Sequence, residues 1–209
     1  MNKRNYRKEL DIILDEIKKD GVKKKLLLHS CCAPCSSYTL LLLADYFDIT
    51  DLYFNPNISP ETEYTKRVEE QRRFIETINE EYGYHIEFIE GRYEPKEFYE
   101  KVKGLEDVPE GGERCFICYE MRMREAAEYA AKLGTQYFTT TLSISPLKNA
   151  EKINEIGQQL AKEYGVIHLP SDFKKKDGYK KSIELSAKYE LYRQNYCGCI
   201  YSRNDSVNF

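Results

Sequence analysis

An α/β fold, with a mostly parallel sheet flanked by helices, is predicted by three features of this 209-residue sequence. Short apolar or β-branched runs alternate with longer amphipathic segments, the pattern of βαβ units. One of those runs, Leu26-Leu27-Leu28, is continuously apolar, as a strand covered on both faces must be. No internal repeat or low-complexity linker breaks the alternation, so a single domain over 1–209 is expected. Within it, 1–22 forms an N-terminal helical segment, 23–170 the α/β core, and 171–209 a short, basic, helical C-terminal segment that closes the site.

Taken in order, Asn5 to Lys19 predicts a helix, because Leu10, Ile13, Leu14 and Ile17 fall on one face. Lys24 to His29 is the first strand. Ser36 to Phe47 predicts a helix, and Ile49 to Phe54 a strand ended by the turn-like Asn55-Pro56-Asn57. Glu61 to Tyr82 is a long charged helix, Tyr84 to Ile89 an alternating strand, and Pro95 to Val102 a short helix, since proline suits a first turn. After the loop 104–112, a helix over 113–133 carries a cysteine pair in its first turn. Gln136 to Thr140 is a fourth strand, Lys148 to Tyr164 a helix, Val166 to Leu169 a fifth strand and Lys180 to Tyr192 a last helix. Ligands bind such sheets at the carboxyl ends of strands, where Cys31 and Cys32 fall.

Composition narrows the function classes. Hydrophobic residues are 41% and charged residues 32%, a globular balance. The first twenty residues lack the apolar stretch of a secretory signal, and no run reaches membrane-spanning length, so a cytoplasmic protein without a membrane partner is expected. In that compartment clustered cysteines are metal ligands or catalytic thiols rather than structural bridges. The net charge of −3 is unevenly spread: residues 172–209 carry 8 Lys+Arg against 5 Asp+Glu, while the remainder carries 24 against 30. Lys174, Lys175, Lys176, Lys180 and Lys181 are therefore either a solvated face or a phosphate-contacting rim.

All seven cysteines lie in three clusters: Cys31-Cys32-Ala33-Pro34-Cys35, Cys115-Phe116-Ile117-Cys118 and Cys197-Gly198-Cys199. Two residues between Cys115 and Cys118 let both sulfurs face one metal centre at a helix N-terminus, where anionic thiolates are favoured. With Cys31 and Cys32 they make a possible four-sulfur site for iron–sulfur or tetrahedral zinc, and a metal-free reading stays open. Cys32 and Cys35 form a second CxxC, which permits a different ligand choice. Cys197-Gly198-Cys199 favours a strained, easily reduced disulfide, with metal ligation as the alternative. His29 reads as structural. Tyr192, Tyr196 and Tyr201 flank the third cluster and are candidate base-stacking groups. Neither GxxxxGK[ST] nor GxGxxG is present, which leaves nucleotide hydrolysis and NAD binding with little support.

Six strings, in order along residues 23–203, carry a resemblance: His29-Ser30-Cys31-Cys32-Ala33-Pro34-Cys35, Phe54-Asn55-Pro56-Asn57, Arg114-Cys115-Phe116-Ile117-Cys118-Tyr119, Phe138-Thr139-Thr140-Thr141-Leu142, Ser145-Pro146, and Tyr192-Arg193-Gln194-Asn195-Tyr196-Cys197-Gly198-Cys199-Ile200. Together they resemble the QueH type of epoxyqueuosine reductase. The resemblance implies a Rossmann-like fold similar to that of the PP-loop (HUP-like) nucleotide hydrolases. It also implies cobalamin-independent reduction of epoxyqueuosine to queuosine in tRNA, with an electron donor that the sequence does not identify. It further implies a 4Fe-4S cluster on Cys31, Cys32, Cys115 and Cys118, and a redox-active pair at Cys197 and Cys199. An additional iron beside the cluster is implied as well, with Asp172 of Ser171-Asp172-Phe173 as its candidate ligand; the role of Cys35 is left open. Two rivals remain. One is a zinc-stabilised, non-catalytic RNA-binding module. The other is a tRNA-thiolating PP-loop enzyme, which needs a Ser-Gly-Gly-x-Asp element where His29–Cys35 stands.

Overall fold

The computed structural model describes residues 4–202; residues 1–3 and 203–209, the outer ends of the N-terminal and C-terminal segments delimited above, lie outside the described residues. Strands β1 (Lys24–His29), β2 (Phe47–Tyr53), β3 (Glu87–Glu90), β4 (Tyr137–Thr140) and β5 (Ile167–His168) form one sheet in the order β3-β2-β1-β4-β5. Every pairing is parallel. Helices α1 (Tyr6–Asp20), α2 (Ala33–Leu43), α3 (Glu61–Tyr82), α4 (Pro95–Lys101), α5 (Glu113–Leu133), α6 (Ala150–Tyr164) and α7 (Gly178–Lys188) flank it, giving the expected Rossmann-like α/β architecture.

The Leu26-Leu27-Leu28 run divides between the two faces, because side chains alternate along a strand. Leu26 and Leu28 share a core with Leu10 and Leu14 of α1, Leu40 and Leu43 of α2, and Phe74 and Ile78 of α3. Leu27 joins the opposite core, with Met123 and Ala126 of α5 and Ile153 and Leu160 of α6. All three leucines are fully buried, and each such side chain contributes about 1.5–3 kcal/mol.

Several boundaries differ from expectation: β3, for one, opens at Glu87 rather than Tyr84, and those of α2 and α7 bear on the site. Helix α2 starts at Ala33, three residues early, because Pro34 sits in the first turn, where a missing N–H costs nothing. It stops at Leu43, since Phe47 already opens β2. Helix α7 ends at Lys188 rather than Tyr192; Glu190 adopts a φ of 51°, which a right-handed helix cannot hold.

Strand β1 lies between β2 and β4, so the chain order reverses beside it. In open α/β sheets a crevice forms outside the carboxyl ends of the strands at such a point. His29, the last residue of β1, is fully buried and ties three strand ends together. Its Nε2 lies 3.0 Å from the Phe54 carbonyl oxygen and its Nδ1 2.8 Å from Thr140 Oγ1. A carbonyl only accepts, so Nε2 carries the proton and Nδ1 accepts from the hydroxyl. His29 is thus structural, as read from the sequence. Among the described residues no helix is long and apolar enough to cross a membrane.

Candidate active site

Two concavities meet at the carboxyl ends of β1 and β4. A cleft of about 610 Å³ is lined by Cys31 and Cys35 from the loop after β1, Arg67 of α3, Lys148 before α6, and the segment Arg193–Cys197. A small cavity of about 20 Å³ is lined by Cys115, Cys118, Cys197 and Cys199. Glu110, Arg122, Lys148, Cys197 and Ser202 line both, so the two spaces adjoin. All seven cysteines are free thiols.

The first cluster forms where β1 runs into α2. Cys32 is the extended N-cap of α2 and Cys35 lies in its first turn, which swings both sulfurs toward Cys31. The three sulfurs lie within 4.8 Å of one another, with Cys31 and Cys32 4.0 Å apart. Thr141 Oγ1 donates to the Cys31 sulfur at 3.5 Å, and Gln194 Nε2 donates to that of Cys32 at 2.9 Å. The trio shares one negative charge most easily at Cys32. Sulfur contacts from Cys31 and Cys35, with Arg67 and Gln194 nearby, lower its pKa well below the usual thiol value despite burial. Contacts to Cys31 and Cys32, together with burial, raise that of Cys35.

The second cluster occupies the start of α5. Gly111 N donates to Cys115 Sγ at 3.3 Å. Burial pushes the Cys118 thiol up to about 12, although Arg122 opposes the shift. Arg122 stands one turn further along α5, on the same face. It is fully buried; Nε donates to Cys118 O at 3.2 Å and Nη1 to Asn55 Oδ1 at 3.3 Å, while Nη2 has no hydrogen-bond partner among the described residues. Burial works against its charge, but Cys118, Cys197 and Cys31 outweigh burial and raise its pKa. One guanidinium thus answers to all three cysteine clusters.

The third cluster lies on a strap laid across the N-terminal end of α3. Ser59 N donates to Gly198 O at 2.9 Å, and Arg67 Nη1 donates to Cys197 O at 3.3 Å. Lys148 Nζ donates to Cys197 Sγ at 3.2 Å. Gly198 has a φ of 102°, which only glycine adopts freely.

The residues singled out in the sequence therefore fall into two adjoining groups. Cys31, Cys32 and Cys35 form a tight three-sulfur group; Cys115 and Cys118 stand in the neighbouring cavity with Cys197 and Cys199. Asp172 lines neither space, and Lys174 Nζ donates to its Oδ1 at 2.5 Å. In the basic segment, Lys176 pairs with Asp11 at 2.7 Å, while Lys175 and Lys180 are exposed. Arg193, Tyr196 and Tyr179 line the cleft. Sequence reasoning missed Arg67, Arg122, Lys148 and Gln194. Arg122 carried a usable signal, four residues beyond Cys118 in a helix. The others are brought to the site only by tertiary folding.

The donor set suits an anionic metal–thiolate group. Three sulfurs converge in one place, more stand beside them, and a buried guanidinium with an unsatisfied N–H faces both. A buried cation of this kind needs a neighbouring negative charge.

A family model described as "Epoxyqueuosine reductase QueH" matches residues 26–205. A curated protein of that name from Staphylococcus epidermidis is 46% identical over 200 residues, covering 95% of this chain and 84% of the relative. Its namesake from Streptococcus pyogenes is 42% identical over 95% of this chain and 78% of the relative. The Thermotoga maritima protein of the same name is 35% identical over 85% of this chain and 89% of the relative.

Proposed function

Since the chain belongs to the epoxyqueuosine reductase QueH family, and is thereby an oxidoreductase, we propose that it reduces epoxyqueuosine to queuosine at the wobble position of tRNA. One observation carries this reading: cysteines from three distant parts of the chain border a base-sized cleft with a cationic lining and the small cavity that adjoins it. Cys31, Cys32, Cys115 and Cys118 would hold a 4Fe-4S cluster. Cys35 adjoins it as a further thiol, and Asp172 would serve an additional iron only after giving up Lys174. When bound, such iron supplies single electrons and a Lewis acid for the epoxide oxygen.

The chain's own residues do the rest. The modified base splays out of the anticodon loop into the cleft, as single-stranded RNA bases do when read by proteins. Tyr196 and Tyr179 offer aromatic faces there, and Arg193 with Lys175, Lys180 and Lys181 meets the flanking phosphates. Cys197 and Cys199 act as the dithiol that closes to a disulfide. An external electron donor reopens it, in the cytoplasm, with no membrane partner.

The deciding experiment incubates reduced, anaerobically purified protein with epoxyqueuosine-containing tRNA and analyses the nucleosides by mass spectrometry. Queuosine is the expected product. Its absence under several reductants, from a colourless protein that carries zinc and no iron, would instead support a non-catalytic RNA-binding module.

A further inference from the structure

Lys148 is the buried amine of the site. Its side chain is 8% exposed, and it lines both the cleft and the small cavity. A turn after β4 places it there: Lys148 N donates to Ser145 O at 3.2 Å, and Leu147 N to Ser145 Oγ at 3.3 Å. Burying an ammonium is strongly unfavourable unless an anion accompanies it. The carboxylate of Glu110 is 3.8 Å away, beyond hydrogen-bonding distance, whereas the Cys197 sulfur at 3.2 Å is within it. Burial disfavours the charged amine, yet Cys197, with help from Tyr119, raises its pKa well above the usual lysine value. Cys199 differs from its neighbour: it is buried, and burial pushes its thiol up to about 11.

We propose that Lys148, donating from Nζ to the Cys197 sulfur, makes Cys197 the first of the two tail sulfurs to react and relays through Nζ a proton that the epoxide oxygen takes as it leaves. The proposal rests on the reading of Cys197 and Cys199 as the redox pair. Conversion of the epoxide to the alkene breaks two C–O bonds, forms the C=C bond and releases water, consuming two electrons and two protons. The pair supplies all four: the S–S bond forms between Cys197 and Cys199 and the two thiol protons leave, that of Cys197 by way of Lys148 Nζ and that of Cys199 directly. Thiolate plus ammonium is the same sum as thiol plus amine, so the contact changes where the proton waits and leaves the balance intact.

The test is a short iodoacetamide pulse on the reduced, anaerobic, full-length protein at pH 7, with modification assigned to Cys197 or Cys199 by fragment mass spectrometry. Cys197 should react about tenfold faster than Cys199, because the thiolate is the nucleophile. Lys148→Met should abolish that preference, Lys148→Arg should keep most of it, and both should retain wild-type iron content. Lys148→Gln gives the same reading should the methionine variant fold poorly. Equal Cys197 reactivity in wild type and in folded Lys148→Met or Lys148→Gln would overturn the proposal. Full turnover by Cys197→Ser would instead refute the redox-pair reading, and the alkylation result would stand apart from it.

Discussion

Arg67 Nη1 donates to the carbonyl oxygen of Cys197 at 3.3 Å, joining residues 130 positions apart in sequence. The same guanidinium pairs with Glu63 at 2.7 Å and reaches Tyr196 O at 3.5 Å, so one side chain of α3 grips the strap on which the tail cysteines ride. Replacing it tests whether that grip matters. Arg67→Met should lower kcat for epoxyqueuosine reduction about tenfold, because misplacement of a reacting group by about 1 Å can cost about a hundredfold and the Ser59–Gly198 contact still holds the strap in part. Iron content should stay at the wild-type level. Loss of iron with the strap still docked would show that Arg67 serves the Cys32 side of the site instead.

Gly198 sits against the same arginine. A Cβ at this position would lie 2.8 Å from Ile58 Cγ1 and 3.0 Å from Arg67 Nη1, in a left-handed backbone. Gly198→Ala should therefore destabilise the strap by about 1–3 kcal/mol. Limited proteolysis should cut the variant sooner between α7 and the tail. Unchanged protection there would mean that the segment repacks freely.

The division of labour among the cysteines is separable by paired measurements. Serine variants of Cys31, Cys32, Cys115 or Cys118 should each lose iron, together with the brown absorbance. Serine variants of Cys197 or Cys199 should keep both and lose turnover. Iron loss on Cys197→Ser with iron retained by Cys115→Ser would reverse the assignment.

The pH dependence of stability has a signature that lies away from the site. His168 is buried, its two ring nitrogens have no hydrogen-bond partner among the described residues, and burial pushes its pKa down to about 3. The unfolded chain then binds a proton more readily than the fold, so stability is complete above about pH 6.5 and falls as pH drops toward 3. Between pH 7.5 and 5 this one residue should cost about 2 kcal/mol. His168→Leu should remove that part of the acid slope, read as the difference between urea-unfolding free energies of variant and wild type at the two pH values. His29, pushed down to about 4 by burial and Arg122, runs the same way in both proteins. Asp51, raised by burial to about 7, runs the opposite way in both. An identical slope in His168→Leu would contradict the linkage.

Charge reversal at exposed Lys175 and Lys180 should weaken tRNA binding and flatten its salt dependence, by about 0.7 in the log–log slope for each lost contact to a single-stranded phosphate. Binding measured across a salt series checks this. No change in affinity or slope would remove the basic segment from the interface.

Much of the architecture was legible because each strand's apolar run and each helix's periodic face report their own burial. The Leu26–Leu28 run, the 61–82 helix and the 113–133 helix are cases where local pattern and tertiary role agree. The cysteines were equally visible, since sulfur chemistry is written in residue type and spacing. What could not be read was which groups would meet them. Gln194 reaches Cys32 across 162 residues, and Lys148 reaches Cys197 across 49. Neither side chain differs, in its own neighbourhood, from a surface residue. The early start of α2 was legible in principle, because Pro34 is better placed in a first turn than before one.

The strap has a consequence for the order in which this molecule becomes competent. Ribosomes release the amino end first, so the thiols after β1 and those at the start of α5 emerge long before Cys197 and Cys199. A nascent chain halted near residue 190 would already hold all five strands and the first five cysteines. It would lack Cys197 and Cys199, and with them the dithiol proposed to spend electrons in the crevice. The proposed chemistry thereby waits until the tail has followed the sheet.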